Sequence, residues 1–308
     1  MRVTSTTYSN LVLNSSQSAQ QQLAVLQQQI STGDSVQFAS DNPLSYQKAS
    51  QDQTAIAQLN AYSNAASTAT TQTSANNQAM TSLHQIIAQA GEYATSVTSN
   101  MSASDMQNLG TEMSSLLSQL TSIVNQTSNG NYLFGGTSNQ PPLTSSGGYN
   151  SATNGQATTI DVQEGNTVQT GIVAGRSGTP PVDGFLYDAS SGIDVVATLQ
   201  QAISDLNSGN ASAVQTTDLP ALNKALDHIS SYVGSTAASM AAVQTATNTL
   251  TQQMTSKNNQ LNALTQTNLP NVTVQLQQIQ TQYQASLEAG SRVLGMSFLN
   301  YIGSVTTS

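Results

Sequence analysis

The sequence predicts a mainly α fold: a long antiparallel helical bundle or coiled coil built from both termini, with a small β module inserted in the middle. Three observations carry this expectation. Apolar residues recur at helical spacing over both ends and over both flanks of the middle, the two ends share one unusual period, and the stretch from Asn131 to about Asp188 interrupts the pattern with Gly, Pro, Ser and Thr.

The period shared by the ends is eleven residues. From Leu269 to Ile302, Val272, Tyr283 and Leu294 form one row, Leu276, Leu287 and Phe298 a second, and Ile279, Gly290 and Tyr301 a third. Eleven residues in three turns is about 3.67 per turn, so such a stripe runs nearly straight along a helix. The first stretch repeats the step with Tyr8, Ala19 and Ile30, with Val12 and Leu23, and with Ser15 and Leu26. A helix with one apolar stripe has to bury it, and the natural partner is a stripe of the same period, so the two termini are expected to pair. Val3 to Gly33 and Asn258 to Leu287 contain no charged residue. Exposed helices normally carry charge; this surface suits helices packed on many sides in an assembly, a Gln-rich solvated face being the plainer reading. The expected assembly interface is Tyr8, Val12, Leu23, Leu26 and Ile30 with Val272, Leu276, Ile279, Tyr283, Leu287, Leu294, Phe298 and Tyr301.

Taken in order, the first helix should run from about Ser5 to Ser31 and end at Gly33, where glycine takes the left-handed geometry that stops a helix. In the linker that follows, the side chain of Asp41 or of Asn42 can accept the free N–H groups of a second helix whose first residue, Pro43, has no N–H to lose. From Pro43 to about Asn100 the apolar spacing becomes heptad-like at Met80, Leu83, Ile87, Ala90, Ala94, Val97 and Met101, predicting one helix of about 85 Å at 1.5 Å per residue. Its middle, Ser63 to Asn77, is nearly all Ala, Ser, Thr, Asn and Gln, and permits a break. Ser102 to Asp105 resembles a capping box and opens a helix with Leu109, Met113, Leu116, Leu120 and Val124 on one face, closed by Asn129-Gly130. Within the β module, Ile160 and Val162 face Val168, Ile172 and Ala174 across a Glu164-Gly165-Asn166 turn. Helical spacing returns at Ile193, Val196, Leu199, Ile203 and Leu206. A last long heptad helix is expected to start around Asp218-Leu219-Pro220 and to continue through Leu222, Ile229, Thr236, Val243 and Leu250 to Leu264. The chain is nested, which makes a rod with its termini together. Residues 1–35 with 270–308 form a terminal coiled coil, 36–136 with 190–269 a bundle, and 137–189 a separate inserted β module.

Composition excludes several functions. Charged residues are only 7% of the 308, against roughly a quarter in ordinary soluble proteins, and the formal net charge is -9. With 6 Lys and Arg scattered along the chain there is no basic stripe for nucleic acid or for an anionic membrane. The absence of cysteine removes disulfides, thiol nucleophiles and thiolate metal sites, and permits export in an unfolded state. The N-terminus lacks the apolar run of a cleaved signal peptide, and no stretch reaches the ~18 apolar residues of a membrane span.

Signals for chemistry are weak. His84 and His228 each stand alone on a heptad helix without a second ligand at metal spacing, which favours surface or packed histidines. Gly130 to Thr137 has the glycines of a phosphate loop, but Gly136 stands where the lysine is required. Asp161, Glu164, Asp183, Asp188 and Asp194 show no spacing that fixes two carboxylates at a working distance, so they read as solvated loop acids. No metal, cofactor or catalytic residue is expected.

Four stretches bracket nearly the whole chain: Met1-Arg-Val-Thr-Ser5; Ile30-Ser-Thr-Gly33 through Ala39-Ser-Asp-Asn-Pro43; Gly130-Asn-Tyr132-Leu-Phe134-Gly-Gly136; and Gln284-Ala-Ser-Leu287 through Gly295-Met-Ser297-Phe-Leu-Asn-Tyr301-Ile302. They resemble the flagellar hook-filament junction family, also called hook-associated protein 3 or FlgL, and more distantly flagellin. Flagellin typically has an Asp-Asp-Ala-Ala-Gly segment where this chain has Asp41-Asn42-Pro43, and it lacks the YLF-Gly motif, so the junction family is the nearer of the two. Asn42 departs from the paired acids common to both families, which touches only a capping detail, and Gly303 to Ser308 extend past the usual end. The resemblance implies a non-enzymatic extracellular subunit of the bacterial flagellum, exported unfolded by the flagellar type III system without cleavage. Its implied partners are the first hook-associated junction protein below, flagellin above, further copies of itself in a helical ring, and an export chaperone of the FlgN type at the C-terminal helix. The terminal stripes would join the inner wall of a tube while the β module projects outward. The alternatives are flagellin itself, or a secreted helical adhesin or enzyme with a binding β module, which lacks a reactive cluster to support it.

Overall fold

The computed structural model describes residues 5–128, 130–150, 155–176 and 181–305, so Met1 to Thr4 of the opening motif lie outside the described residues. The elements in chain order are α1 (Ser5–Thr32), α2 (Pro43–Ser96), α3 (Ala103–Val124), β1 (Thr127–Ser128), β2 (Asn131–Tyr132), β3 (Thr159–Gln163), β4 (Asn166–Gln169), β5 (Tyr187–Asp188), β6 (Ile193–Asp194), α4 (Val195–Asn207), the single turn α5 (Ala211–Ala213), α6 (Leu219–Thr265) and α7 (Leu269–Val305). The strands form three antiparallel pairs, β1–β2, β3–β4 and β5–β6. The fold is mainly α with small β hairpins, as the periodicities predict. Two compact units divide the chain: residues 1–57 with 255–308, and residues 58–254.

In the first unit α1 ends as expected. Gly33 has φ +78° and donates its N–H to the Gln29 carbonyl at 2.9 Å. The following turn divides labour between the two candidate caps. Asn42 Oδ1 accepts the Ser45 N–H at 3.1 Å and caps α2, while Asp41 Oδ2 accepts the N–H groups of Gln37 and Phe38 at 3.0 and 2.9 Å. Those backbone donors, Phe38 first, hold the Asp41 carboxyl below the usual carboxylate range.

The second unit is a helical bundle. Leu222, Ile229, Thr236, Val243 and Leu250 on α6 repeat every seven residues and are all buried, and Met80, Leu83, Ile87, Ala90, Ala94 and Val97 supply the facing column from α2 and its end. α2 is unbroken through its small-residue middle, where Ala66, Ala69, Thr73 and Asn76 are buried; small side chains there permit close packing rather than a break. α3 opens with the expected capping box, in which Ser102 Oγ accepts the Asp105 N–H at 3.2 Å and donates to Asp105 Oδ2 at 2.6 Å.

Two expectations need correction, and a third gains a detail. Asn129-Gly130 does not close α3, which stops earlier at its Asn125 cap; Gly130, with φ +81°, lies between the paired strands β1 and β2, and Asn129 lies outside the described residues. The last bundle helix, α6, starts at Leu219 as expected, and it is preceded by a turn that the spacing does not show: Asn210 Oδ1 accepts the Ala213 N–H at 3.2 Å and starts α5, which passes through a π-turn, Val214–Asp218, into α6. Pro220 lacks the N–H for an ordinary helical bond, and the wider π-turn accommodates that loss. Among the described residues, the β segment also has no core of its own. Leu133, Phe134, Leu143, Ile172, Ala174, Phe185 and Leu186 belong to one buried cluster with the residues of α2, α3, α4 and α6, and Val162 and Val168 pack with Ala66, Ala69, Val243, Ala246 and Leu250.

The Leu133-Phe134-Gly135-Gly136 motif sits where bundle and β segment meet. Phe134 is buried and meets Phe185 edge to face at 4.8 Å, an arrangement that aromatic quadrupoles favour. Gly136 has φ +57°, and a Cβ there would lie 2.6 Å from the Gln156 carbonyl oxygen and 2.9 Å from Val173 Cγ1. The motif is therefore a packing device at a crowded backbone crossing.

Candidate assembly surface

α1 and α7 pack against each other along their lengths. They run antiparallel, since a Cβ on Gly290 would lie 3.1 Å from Val12 Cγ1 at one end while Asp34 and Gln266 form an antiparallel bridge at the other. Backbone bonds tie that second end together: Ser35 N–H donates to the Thr265 carbonyl at 2.6 Å and Thr267 N–H to the Gly33 carbonyl at 2.8 Å. In the same unit Lys257 Nζ reaches Asp52 Oδ1 at 2.8 Å.

The less exposed residues define the seam. On α1 they include Val12, Ser16, Ala19, Leu23, Leu26 and Ile30, and on α7 Val272, Leu276, Ile279, Tyr283, Ser286 and Gly290; both runs step by four and three. The helices therefore meet with a seven-residue period, the spacing that goes with left-handed winding, rather than the straight eleven-residue period read from the sequence. The two periods agree at most positions and part at two. Ser16 turns toward the seam where Ser15 was expected, and Ser286 where Leu287 was expected. One residue is about 100° around a helix, and Leu287 is 50% exposed.

Of the residues expected at the interface, Val12, Leu23, Leu26, Ile30, Leu276, Ile279 and Tyr283 are half-buried in the seam and Val272 is buried; Leu287 lies outside it. Tyr8, Leu294, Phe298 and Tyr301 fall on helical backbone, with side chains outside the described ones. The outward apolar set also includes Leu11, Leu13, Val25 and Val274, each more than half exposed. Sequence reasoning missed these four because it collected the apolar residues on one stripe; asking which ones a heptad seam leaves over finds them. A groove of about 510 Å³ runs beside the seam, lined by Ser18, Gln21, Gln22, Val25 and Leu26 of α1 and Gln275, Gln278 and Ile279 of α7. Neither lining segment carries a charge, so another uncharged helix could enter without desolvating an ion.

Four of the polar residues considered for chemistry, Asp183, Asp188, Asp194 and His228, have structural partners. His228 Nε2 donates to the Gly184 carbonyl at 3.1 Å and its ring lies 5.2 Å from that of Tyr232. Asp188 accepts the hydroxyls of Ser190 and Ser191, both at 2.6 Å, which hold its carboxyl well below the usual range. Asp194 caps α4 through the Ala197 N–H at 2.9 Å and pairs with Arg176, whose guanidinium lies over the rings of Tyr149 and Tyr187 at 5.2 and 5.3 Å. Burial and the neighbouring Asp194 push the Tyr149 hydroxyl far above its usual range. Among the described residues there is no group of three His, Asp or Glu placed to hold a metal ion, and no helix long and apolar enough to cross a membrane.

Residues 3–139 match the family described as the bacterial flagellin N-terminal helical region. No curated protein matches the chain in sequence. Solved structures with a similar fold include a putative flagellar hook-associated protein from Vibrio parahaemolyticus, at TM-score 0.64 and 17% identity, covering 73% of this chain and 100% of that one. FlgL from Bacillus cereus aligns at TM-score 0.54 and 16% identity over 69% of this chain and 99% of its own. The flagellar junction protein FlgL from Legionella pneumophila aligns at TM-score 0.54 and 16% identity over 71% and 100%. At such identities the likeness speaks for the fold.

Proposed function

We propose that the chain is a structural subunit of the bacterial flagellum that forms the junction between hook and filament. The flagellin-type N-terminal region and the hook-associated fold support this reading. The observation that carries it is the α1–α7 pair, which is charge-free over Val3 to Gly33 and Asn258 to Leu287, seamed by its heptad residues, and left with an exposed apolar set. A solitary protein gains nothing from exposing Leu11, Leu13, Val25, Val274 and Leu287 on two uncharged helices; a subunit packed on several sides does. The interface comprises the seam residues, the outward set, and Tyr8, Leu294, Phe298 and Tyr301.

The subunit acts outside the cell and carries out no catalysis. It leaves the cell unfolded without signal cleavage, held beforehand by a FlgN-type chaperone at its C-terminal helix. It then sits in a ring of its own copies between the first hook-associated protein and flagellin. Cells lacking its gene should build hooks but shed flagellin into the medium, and the intact gene should restore attached filaments. Attached filaments of normal length in such cells would refute the junction role. The match of residues 3–139 to a flagellin region favours a filament subunit as the second reading. That reading requires this chain to be the main protein of purified filaments, whereas a junction subunit is a trace component at their base.

A further inference from the structure

The less exposed positions near the start of α2 include Ser45, Ala49, Asp52, Ile56 and Leu59, and those near the end of α6 include Leu250, Met254, Lys257, Leu261 and Leu264. Both runs step by four and three, and each is small or apolar except at one residue. Asp52 is 8% exposed, and its Oδ1 accepts Lys257 Nζ at 2.8 Å; the ammonium also reaches Gln260 Oε1 at 3.2 Å. An ion pair thus stands where the heptad spacing calls for an apolar layer. Seven residues forward on α2 and seven back on α6, Leu59 and Leu250 belong to one apolar cluster, and a further seven give Ala66 and Val243 of the same cluster.

Apolar layers are forgiving of register. A slip of one heptad, about 10 Å at 1.5 Å per residue, replaces one apolar contact by another. The ion pair does not survive it. The slip sets Asp52 opposite Leu250 or Leu264 and Lys257 opposite Ser45 or Leu59, leaving a carboxylate and an ammonium each without its counter-ion. A buried pair adds little stability over two apolar side chains, and its best attested use is to choose between alignments.

The alignment at this point decides where the terminal helices meet. Eight residues beyond Lys257 the Thr265 carbonyl accepts the Ser35 N–H, and Thr267 N–H donates to the Gly33 carbonyl, which holds the end of α1 beside the start of α7. We propose that Asp52 and Lys257 form a register lock, which selects one alignment of α2 with α6 and so sets where α1 and α7 join. The lock contributes to the choice of alignment rather than to stability.

Asp34 and Gln266 form an antiparallel bridge flanked by those two backbone bonds, a pairing that brings Cα atoms within reach of a disulfide. The chain has no cysteine of its own, so the rate at which Asp34→Cys and Gln266→Cys close a disulfide in the full-length monomer under oxidised glutathione reads the alignment. Asp52→Leu with Lys257→Leu should keep or raise the melting temperature yet slow the disulfide by at least about threefold, the in-register share once slips of one heptad either way become comparable. Asp52→Lys with Lys257→Asp reverses the pair and should close at the original rate. A leucine pair as fast as the original overturns the lock. So does a leucine pair that is slower and also melts lower, since the ion pair would then only hold the helices together. Where the leucine pair does not fold, Asp52→Lys alone should be slow and the reversed pair restored; equal rates in those two variants would overturn the lock as well.

Discussion

Removing residues 138–188 and bridging the gap with a short flexible linker asks whether the β segment is an appendage or part of the bundle. The deletion takes Leu143, Ile172, Phe185 and Leu186 out of the main core, where each is no more than 8% exposed, and Val162 and Val168 out of the second cluster. At about 1.5 to 3 kcal/mol for each large side chain, the four in the main core alone account for about 6 to 12 kcal/mol. That matches the whole stability of a typical domain, about 5 to 15 kcal/mol. Phe134 would also lose Phe185, and the neighbouring faces of α2, α4 and α6 would be opened to water. The variant should therefore lack a cooperative urea transition and give the far-ultraviolet signal of fluctuating helices. The assay is circular dichroism during urea titration beside the intact chain. A cooperative transition with unchanged midpoint would refute the reasoning and restore the segment as an independent insert.

Three further substitutions separate the seam from the outward set and test the Gly-Gly crossing. Leu287→Asp should leave the monomer's melting temperature nearly unchanged, since the side chain is already 50% exposed, yet abolish restoration of swimming, because a carboxylate buried by assembly costs several kcal/mol, roughly, when unpaired; Ile279→Asp, in the seam, should fail in both assays, and swimming by the Leu287 variant would remove that residue from the interface. Gly136→Val should lower stability by about 2 kcal/mol or more in chemical denaturation, because φ +57° is strained for a branched residue and the Gln156 carbonyl blocks its Cβ; a change below about 0.5 kcal/mol would show that the crossing is slack.

The sequence is most legible where one period has one consequence. The seven-residue column from Leu222 to Leu250 is buried as read, and Gly33, Ser102 with Asp105, and the Ile160–Val168 register stand where local chemistry puts them. The seam was only partly legible, because on α7 periods of eleven and seven coincide at Val272, Leu276, Ile279 and Tyr283 and separate at Ser286 and Leu287, as they do on α1 at Ser15 and Ser16. A helix with apolar residues on both phases can satisfy either, and the partner helix decides. Pro220 marks the first turn of the last bundle helix correctly, but the π-turn that leads into it left no signal in the spacing. The shared core of bundle and β segment left little trace, since Gly, Pro and Ser punctuation marks turns and says nothing of what the few apolar residues between them touch.

The chain contains no cysteine, so single cysteines introduced on the terminal pair report only on their own surroundings. The most direct measurement is oxidative cross-linking of flagella purified from cells producing Val25→Cys, Leu287→Cys or, as a seam control, Ile279→Cys. If the outward faces of α1 and α7 join neighbouring subunits, Val25→Cys and Leu287→Cys together in one strain should yield a covalent dimer in assembled flagella and none in secreted monomer, with Ile279→Cys giving none in either. A dimer from Ile279→Cys, or assembled flagella whose outward cysteines all remain monomeric, would contradict the account.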